Sequence, residues 1–551
     1  MSADRSARID ALFEGPNWDC EPGFAAVLLE GGEVAWSSAR GLADLSARGP
    51  IADTTRFRIC SITKPMFALL LAALEAEGRL SLSDPLERYL PELRLAHRPT
   101  LADALAMKSG VLEGYPLQWM ALGAGVAHAF GLDQALALQL AQSGSSFAPG
   151  ERTLYANANY ILLQLAVERI TGEPCARLMR RYVFSPAGMT DAVLEEGLCV
   201  RLHRGAQAYA KTPEGFVVSD PEVALGAAGA AVASINDMAA WCRWLRTDPY
   251  DWRARLAGPV PHADGSESAY ARGFGRQNIS GRLILGHSGG IAGWLCDALW
   301  APDPDVAVVI LGNRSDINWI ERTREILTVW SGLPIDSAMT ARLAAPATPE
   351  PLWSAQYGDE AGGASLSLKG GPTALDCDGR TYLRAADGAF RRSVGVEPIT
   401  LLPDGELTSP PETLVRVEGN VTRRFVLASG EAAPSPERLT GVYVNPDMPA
   451  PLRITLDGGV LKVAVGPRWP SAERLELRHV VGRLFRAFDA SGAPHELHLT
   501  FEIEAQAPAT GARASFLRIP AYPLRRLPEE AEVAWERRAE SMPRFLQWRD
   551  Q

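Results

Sequence analysis

Near the N-terminus an apolar run, FAAVLLE (24–30), and an alternating one, EVAWS (33–37), flank Gly31-Gly32. That is the pattern of a tight β-hairpin. The next strong pattern is of another kind. Every residue from Met66 to Leu74 is apolar, which predicts a helix beginning near Ser61, buried on all sides and closed by Gly78. From about residue 80 to 245 the periodicity is mainly helical, broken by polar and Gly/Pro turns. Ser234, with Asp237 three residues on and MAAWCRWL following, predicts a capping box. From 283 the strand pattern returns in LILGH, GWLCDALW, the turn APDPD, and VAVVILGN. Strands at both ends of a helical middle predict one domain over residues 1–335, with a sheet that draws on both chain ends.

A breaker-rich linker, 336–351, follows, ending in LAAPATPEP. Beyond it the helical signal disappears. Residues 352–430 and 437–527 read as short strands with Gly, Pro and Asp turns, and each opens on a similar tyrosine, Tyr357 in WSAQYGDE and Tyr443 in LTGVYVNP. A faint repeat of about 85 residues predicts two related small β-barrels. The tail, 528–551, predicts an added amphipathic helix.

Charge narrows the function. The 551 residues carry a net charge of −10 with no run of Lys or Arg, which argues against nucleic acid and anionic membrane as partners. No segment has the length and apolarity of a signal peptide or a membrane span. Seven scattered cysteines (20, 60, 175, 199, 242, 296, 377) form no CxxC pair, as expected of reduced, buried thiols in a cytoplasmic protein. There is no HExxH, and the eight histidines form no ligand pair, so no metal or other cofactor is expected.

Candidate chemistry begins with the lysines. There are five, against fifty arginines, and one sits in Ser61-Ile62-Thr63-Lys64 at the mouth of the apolar helix. Positions i and i+3 share a helix face, so the amine can reach the serine hydroxyl. The helix N-terminus favours an ionised serine and a lysine of lowered pKa, as an activated nucleophile requires. A capping serine followed by a solvated lysine is the alternative. Pro65 fits only a first turn. Cys60 reads as a packing residue.

Two further clusters matter. In Tyr155-Ala156-Asn157, on a loop entering a helix, a tyrosine close to a lysine ammonium could act as general base, with the asparagine orienting the lysine. A turn tyrosine beside a helix-entry asparagine is the plainer reading. In His287-Ser288-Gly289-Gly290, small residues on a strand would let substrate lie alongside. There the Gly290 N–H could join the Ser61 N–H as an oxyanion hole. Gly286 to Gly290 also fits G-x-S-x-G, but that elbow needs a strand-to-helix turn, and strands follow here. Lys211-Thr212 lacks a following glycine and reads as an ordinary charged loop.

The order S-x-x-K, Y-x-N, H-x-G, together with FRICSITKP, MKSGV, FAPGERTLYANANYILL, GAAGAAVASINDMAAW and GHSGGIAGW, resembles the serine β-lactamase-like, penicillin-recognising family across the first 335 residues. The resemblance implies an α+β fold: an antiparallel sheet flanked by helices, with a helical subdomain, ahead of the two small antiparallel β-barrels. It implies Ser61 as acylated nucleophile, Lys64 and Tyr155 as proton carriers, and Asn157 and His287 as positioning groups. With two trailing barrels, and with RGLADL, GGIAGW and FLRIPAYPLRRL, the chain is most similar to the three-domain members. These release D-amino acids from the free amino end of peptides, amides and esters. The resemblance implies a loop of the last barrel, here FRAFDASGAPHE (485–496), reaching the active site. Asp489 would then face the substrate amine, with Gln277 and Gly289 in further substrate contacts. Asp489 reads equally as a solvated turn residue. The implied substrate is a small peptide or an amino-acid amide or ester, and a homodimer is a candidate assembly. Alternative readings are an esterase, a β-lactamase or DD-carboxypeptidase-type hydrolase of the same fold, and a catalytically silent binding protein.

Overall fold

The computed structural model describes the chain except for residues 1, 94, 114–131, 133–135, 137–138, 141–144, 198–200, 203–204, 220–222, 280, 333–351, 360, 362, 372–373, 379, 386, 393–398, 406, 429–432, 445–451, 466–473, 490–493, 503–508, 517–518, 527 and 529–551. The expected linker and C-terminal helix therefore lie almost wholly outside the described residues.

The hairpin forms from β1 (Phe24–Glu30) and β2 (Glu33–Arg40), with Gly31 and Gly32 at φ 61° and 88°. Both angles suit a turn that glycine enters without strain. From the far end of the domain come β3 (Gly275–Ile279), β4 (Arg282–Ile291), β5 (Trp294–Ala301) and β6 (Val306–Gly312). The order is β3-β4-β5-β6-β1-β2, antiparallel throughout, so one sheet joins both chain ends. α1 (Ser2–Ala11) and α5 (Trp319–Ser331) cover one face, over Phe24, Ile284, Val308 and Trp319. The larger core on the other face holds α2 (Thr63–Ala76), whose residues from Met66 to Leu74 are all buried. Gly78 closes that helix at φ 70°.

Among the described residues the middle of the domain contains strands as well as the helices its periodicity predicts. Besides helices that include α3 (Asn157–Thr171), α4 (Ile235–Arg246) and the short Leu101–Leu105 and Cys175–Met179, it contains a hairpin, Tyr209–Thr212 with Gly215–Val218. A small sheet also pairs Ala231–Ala233 with Phe57–Arg58 and Val193–Leu194. Strands two to four residues long are too short to display alternation. Lys211 is thus on a strand, 3.6 Å from Asp316, and not in a loop. α4 does open on the Ser234–Asp237 capping box.

Two closed eight-stranded antiparallel barrels follow, running from Trp353–Asp359 to Val421–Leu427 and from Gly441–Val444 to Ile519–Arg526. Tyr357 and Tyr443 occupy matching buried positions, their hydroxyls donating to the Pro411 and Leu439 carbonyls. A buried bond joins the barrels between Ser365 Oγ and His498 Nε2. The second barrel also receives Leu112 and Ile161 from the first domain into its apolar cluster. Among the described residues no helix is long and apolar enough to cross a membrane.

Candidate active site

Phe57–Arg58 ends in a turn that carries Ser61. The Ile59 N–H donates to the Ala231 carbonyl, Cys60 takes φ 50°, and Cys60–Ile62 form a single 3-10 turn ahead of α2. A left-handed non-glycine residue is costly, about 1 kcal/mol or more, and persists only where the surroundings impose it. Thr63 does so, donating to the Cys60 carbonyl at 2.7 Å and accepting from the Ala231 N–H at 3.0 Å. Strand β4 presses on the same turn. A Cβ on Gly289 would stand 2.3 Å from the Ile59 carbonyl oxygen and 3.1 Å from the Ser61 nitrogen. Gly289 is therefore buried against the Ser61 turn, and Gly290 is the exposed glycine beside it.

Lys64, fully buried, sits where four segments meet. Its Nζ is 3.0 Å from Ser61 Oγ, 2.8 Å from Asn157 Oδ1 and 2.6 Å from the Ala228 carbonyl oxygen. It also lies 4.7 Å from the centre of the Tyr155 ring and 5.4 Å from that of Tyr160. Burial lowers the Lys64 pKa to about 7, against the opposing pull of Glu113 and, less, Cys60. Two of its three polar neighbours are carbonyl oxygens, which only accept. A neutral amine must give them its two hydrogens, which leaves its lone pair facing the Ser61 hydroxyl. This is the arrangement of a general base on a nucleophile.

Three residues that no motif marked complete the frame. Glu113 Oε2 accepts the Asn157 N–H at 2.5 Å, satisfying a donor at the start of α3, where Ala156 provides no side-chain cap. Gln164, two turns further along α3, accepts the Ala227 N–H at 2.8 Å and so holds the turn that presents the Ala228 carbonyl. Tyr270 OH lies 3.1 Å from His287 Nε2. His287, buried on β4, has its pKa lowered to about 3 by burial and by Lys64. Its ring packs 6.0 Å from that of Tyr155. Among the described residues no three His, Cys, Asp or Glu side chains converge as metal ligands do.

The structure thus gathers Ser61, Lys64, Tyr155, Asn157 and His287. Gln277 pairs with Ile284, three residues before His287, and strand alternation turns this pair to the α5 side of the sheet, where Ile284 packs. Gln277 lines a cleft with Tyr270, His287, Ser288, Asp297 and Arg324. Asp489 follows the Leu484–Phe488 strand and is half-buried. It is not among the partners of Ser61 and Lys64, and 490–493 lie outside the described residues. Ser288 lies within a strand that continues to Ile291, which excludes the nucleophile elbow.

Residues 9–329 match the β-lactamase family, and the chain belongs to that family of hydrolases. The chain is 27% identical over 461 residues to the D-aminopeptidase of Brucella canis, an alignment covering 80% of this chain and 82% of the relative. Among solved structures it is similar to the octameric penicillin-binding protein homologue from Pyrococcus abyssi, with 18% identity, TM-score 0.55, and coverage of 86% of this chain and 98% of that one. It is also similar to SurE, with 18% identity, TM-score 0.52, and coverage of 96% and 99%. These two share the fold.

Proposed function

We propose that this protein is a serine hydrolase that works through an acyl-enzyme and releases N-terminal D-amino acids from peptides, amides or esters bearing a free amino group. The observation that carries the chemistry is the Lys64 amine, 3.0 Å from Ser61 Oγ with its other two polar contacts obligate acceptors. In this reading the Lys64 lone pair takes the Ser61 proton as Oγ attacks the substrate carbonyl, and the Ser61 and Gly290 N–H groups hold the oxyanion. Lys64 or Tyr155 then passes a proton to the leaving amine or alcohol. Water attacks the ester on Ser61, returning its proton through the same base, and the D-amino acid leaves.

The similarity to a D-aminopeptidase supports the substrate class. So does a carboxylate at the site. Glu113 is near enough to Lys64 to oppose the fall of its pKa, and it can balance a substrate ammonium. Asp489 is a second candidate for that role, on the barrel that holds Leu112. The test is acylation itself. Rapid quenching with a D-alanine ester should add one D-alanyl group to Ser61 by intact mass and none to Ser61→Ala. An unmodified wild type that nevertheless turns over would overturn the acyl-enzyme.

A further inference from the structure

His287 has a partner at each ring nitrogen. Nδ1 lies 2.5 Å from the Ser288 carbonyl oxygen and Nε2 lies 3.1 Å from Tyr270 OH. A carbonyl oxygen only accepts, so Nδ1 must carry the hydrogen; otherwise two lone pairs would face each other. The buried ring beside Lys64 is neutral, so Nε2 is bare and the hydrogen in the second bond belongs to Tyr270. The Tyr160 hydroxyl, which donates to the Leu105 carbonyl at 3.1 Å, also meets the Tyr270 hydroxyl and is a rival acceptor for its hydrogen; the bare imidazole Nε2, a stronger acceptor than a phenol oxygen, takes it.

We propose that Tyr270 is a positioning residue: its hydroxyl donates to His287 Nε2, locks the ring as the Nδ1–H tautomer, and so fixes the wall against which Tyr155 faces Lys64. The packing supports this. Tyr270 meets the His287 ring edge-on at 5.7 Å and the Tyr155 ring edge-on at 6.3 Å. Tyr155 in turn presents its face to the Lys64 amine. With both ring nitrogens engaged, His287 neither carries substrate protons nor binds substrate through its ring. It shapes the site, and Tyr270 shapes it. This assignment rests on the hydrolase reading for its kinetic consequences but not for its tautomer.

The test joins nitrogen-15 NMR of histidine-labelled full-length protein with a double-mutant cycle. In the wild type the His287 signals, identified by their loss in His287→Gln, should show a protonated Nδ1 and a bare Nε2 from about pH 5 to 8. Tyr270→Phe should move the Nε2 resonance and raise the pH at which the ring titrates, because the lone pair loses its donor. Turnover should fall about ten- to hundredfold, with little change in KM. Tyr270→Phe/His287→Gln should be no slower than His287→Gln alone. An Nε2–H wild-type ring overturns the proposal without any variant, as do an unmoved resonance in Tyr270→Phe or multiplicative losses in the double variant. Failure of the hydrolase reading would appear separately, as a Ser61 that is never acylated.

Discussion

Lys64 Nζ and Asn157 Oδ1 stand 2.8 Å apart across 93 residues of sequence, and this contact orients the amine. Because the asparagine oxygen and the Ala228 carbonyl take both hydrogens of a neutral amine, only the lone pair is left for Ser61. The ordering holds only once the lysine has lost its third proton.

The pH dependence follows. Lys64 must be neutral to act, and its pKa is lowered to about 7, so kcat/KM should rise with pH through about 7 and level above it. Lys64→Arg keeps a cation that cannot give up its proton and should lose about 10²- to 10⁴-fold in kcat across the whole range. Near wild-type turnover in Lys64→Arg contradicts the base assignment.

Glu113 is expected to do two things at once. Glu113→Gln removes a negative neighbour that raises the Lys64 pKa, so the activity limb should shift to lower pH. If the carboxylate also balances the substrate ammonium, KM for free-amine substrates should rise about ten- to hundredfold, with that for N-acetylated esters little changed. Asp489→Asn measured in parallel divides the amine-binding role between the two. A KM that moves in Asp489→Asn alone assigns it to the barrel.

How much of this was legible in the sequence depends on the range over which each signal acts. The Gly31-Gly32 hairpin, the buried α2 and the return of strands after 283 are local patterns, and they stand as read. Ser61 with Lys64 is legible for the same reason, being one turn of helix. Glu113, Gln164 and Tyr270 carry no motif. Each acts through a backbone group or a ring lying 44, 63 or 17 residues away, and only docking of the segments brings them in.

Leu112 links the second barrel to the site, since it packs in that barrel's apolar cluster one residue before Glu113. Leu112→Ala should cost about 2–4 kcal/mol of stability. It should also reproduce part of the Glu113→Gln shift in the activity limb, because the loop loses its anchor. Denaturant unfolding and a pH–rate profile of the same variant check both; lowered stability with an unmoved profile means that the contact is only structural.

Behind the sheet, burial raises Asp297 to about 6, against the opposing pull of Arg324 and Thr323. A carboxyl whose folded pKa lies above its unfolded value of 3.8 stabilises the fold fully below about pH 4. That contribution is lost as the pH rises through about 6. Asp297→Asn should therefore gain in melting temperature relative to wild type between pH 4 and 7, with the difference flat above. A pH-independent difference contradicts the raised pKa.

The most direct measurement is hydrolysis of D-alanine p-nitroanilide, with its L-enantiomer, its N-acetylated form and Ser61→Ala alongside. Release is expected from the free D-substrate, little from the other two, and none by Ser61→Ala. Equal hydrolysis of the N-acetylated or L-form by wild type, or release that persists in Ser61→Ala, would contradict the proposed function.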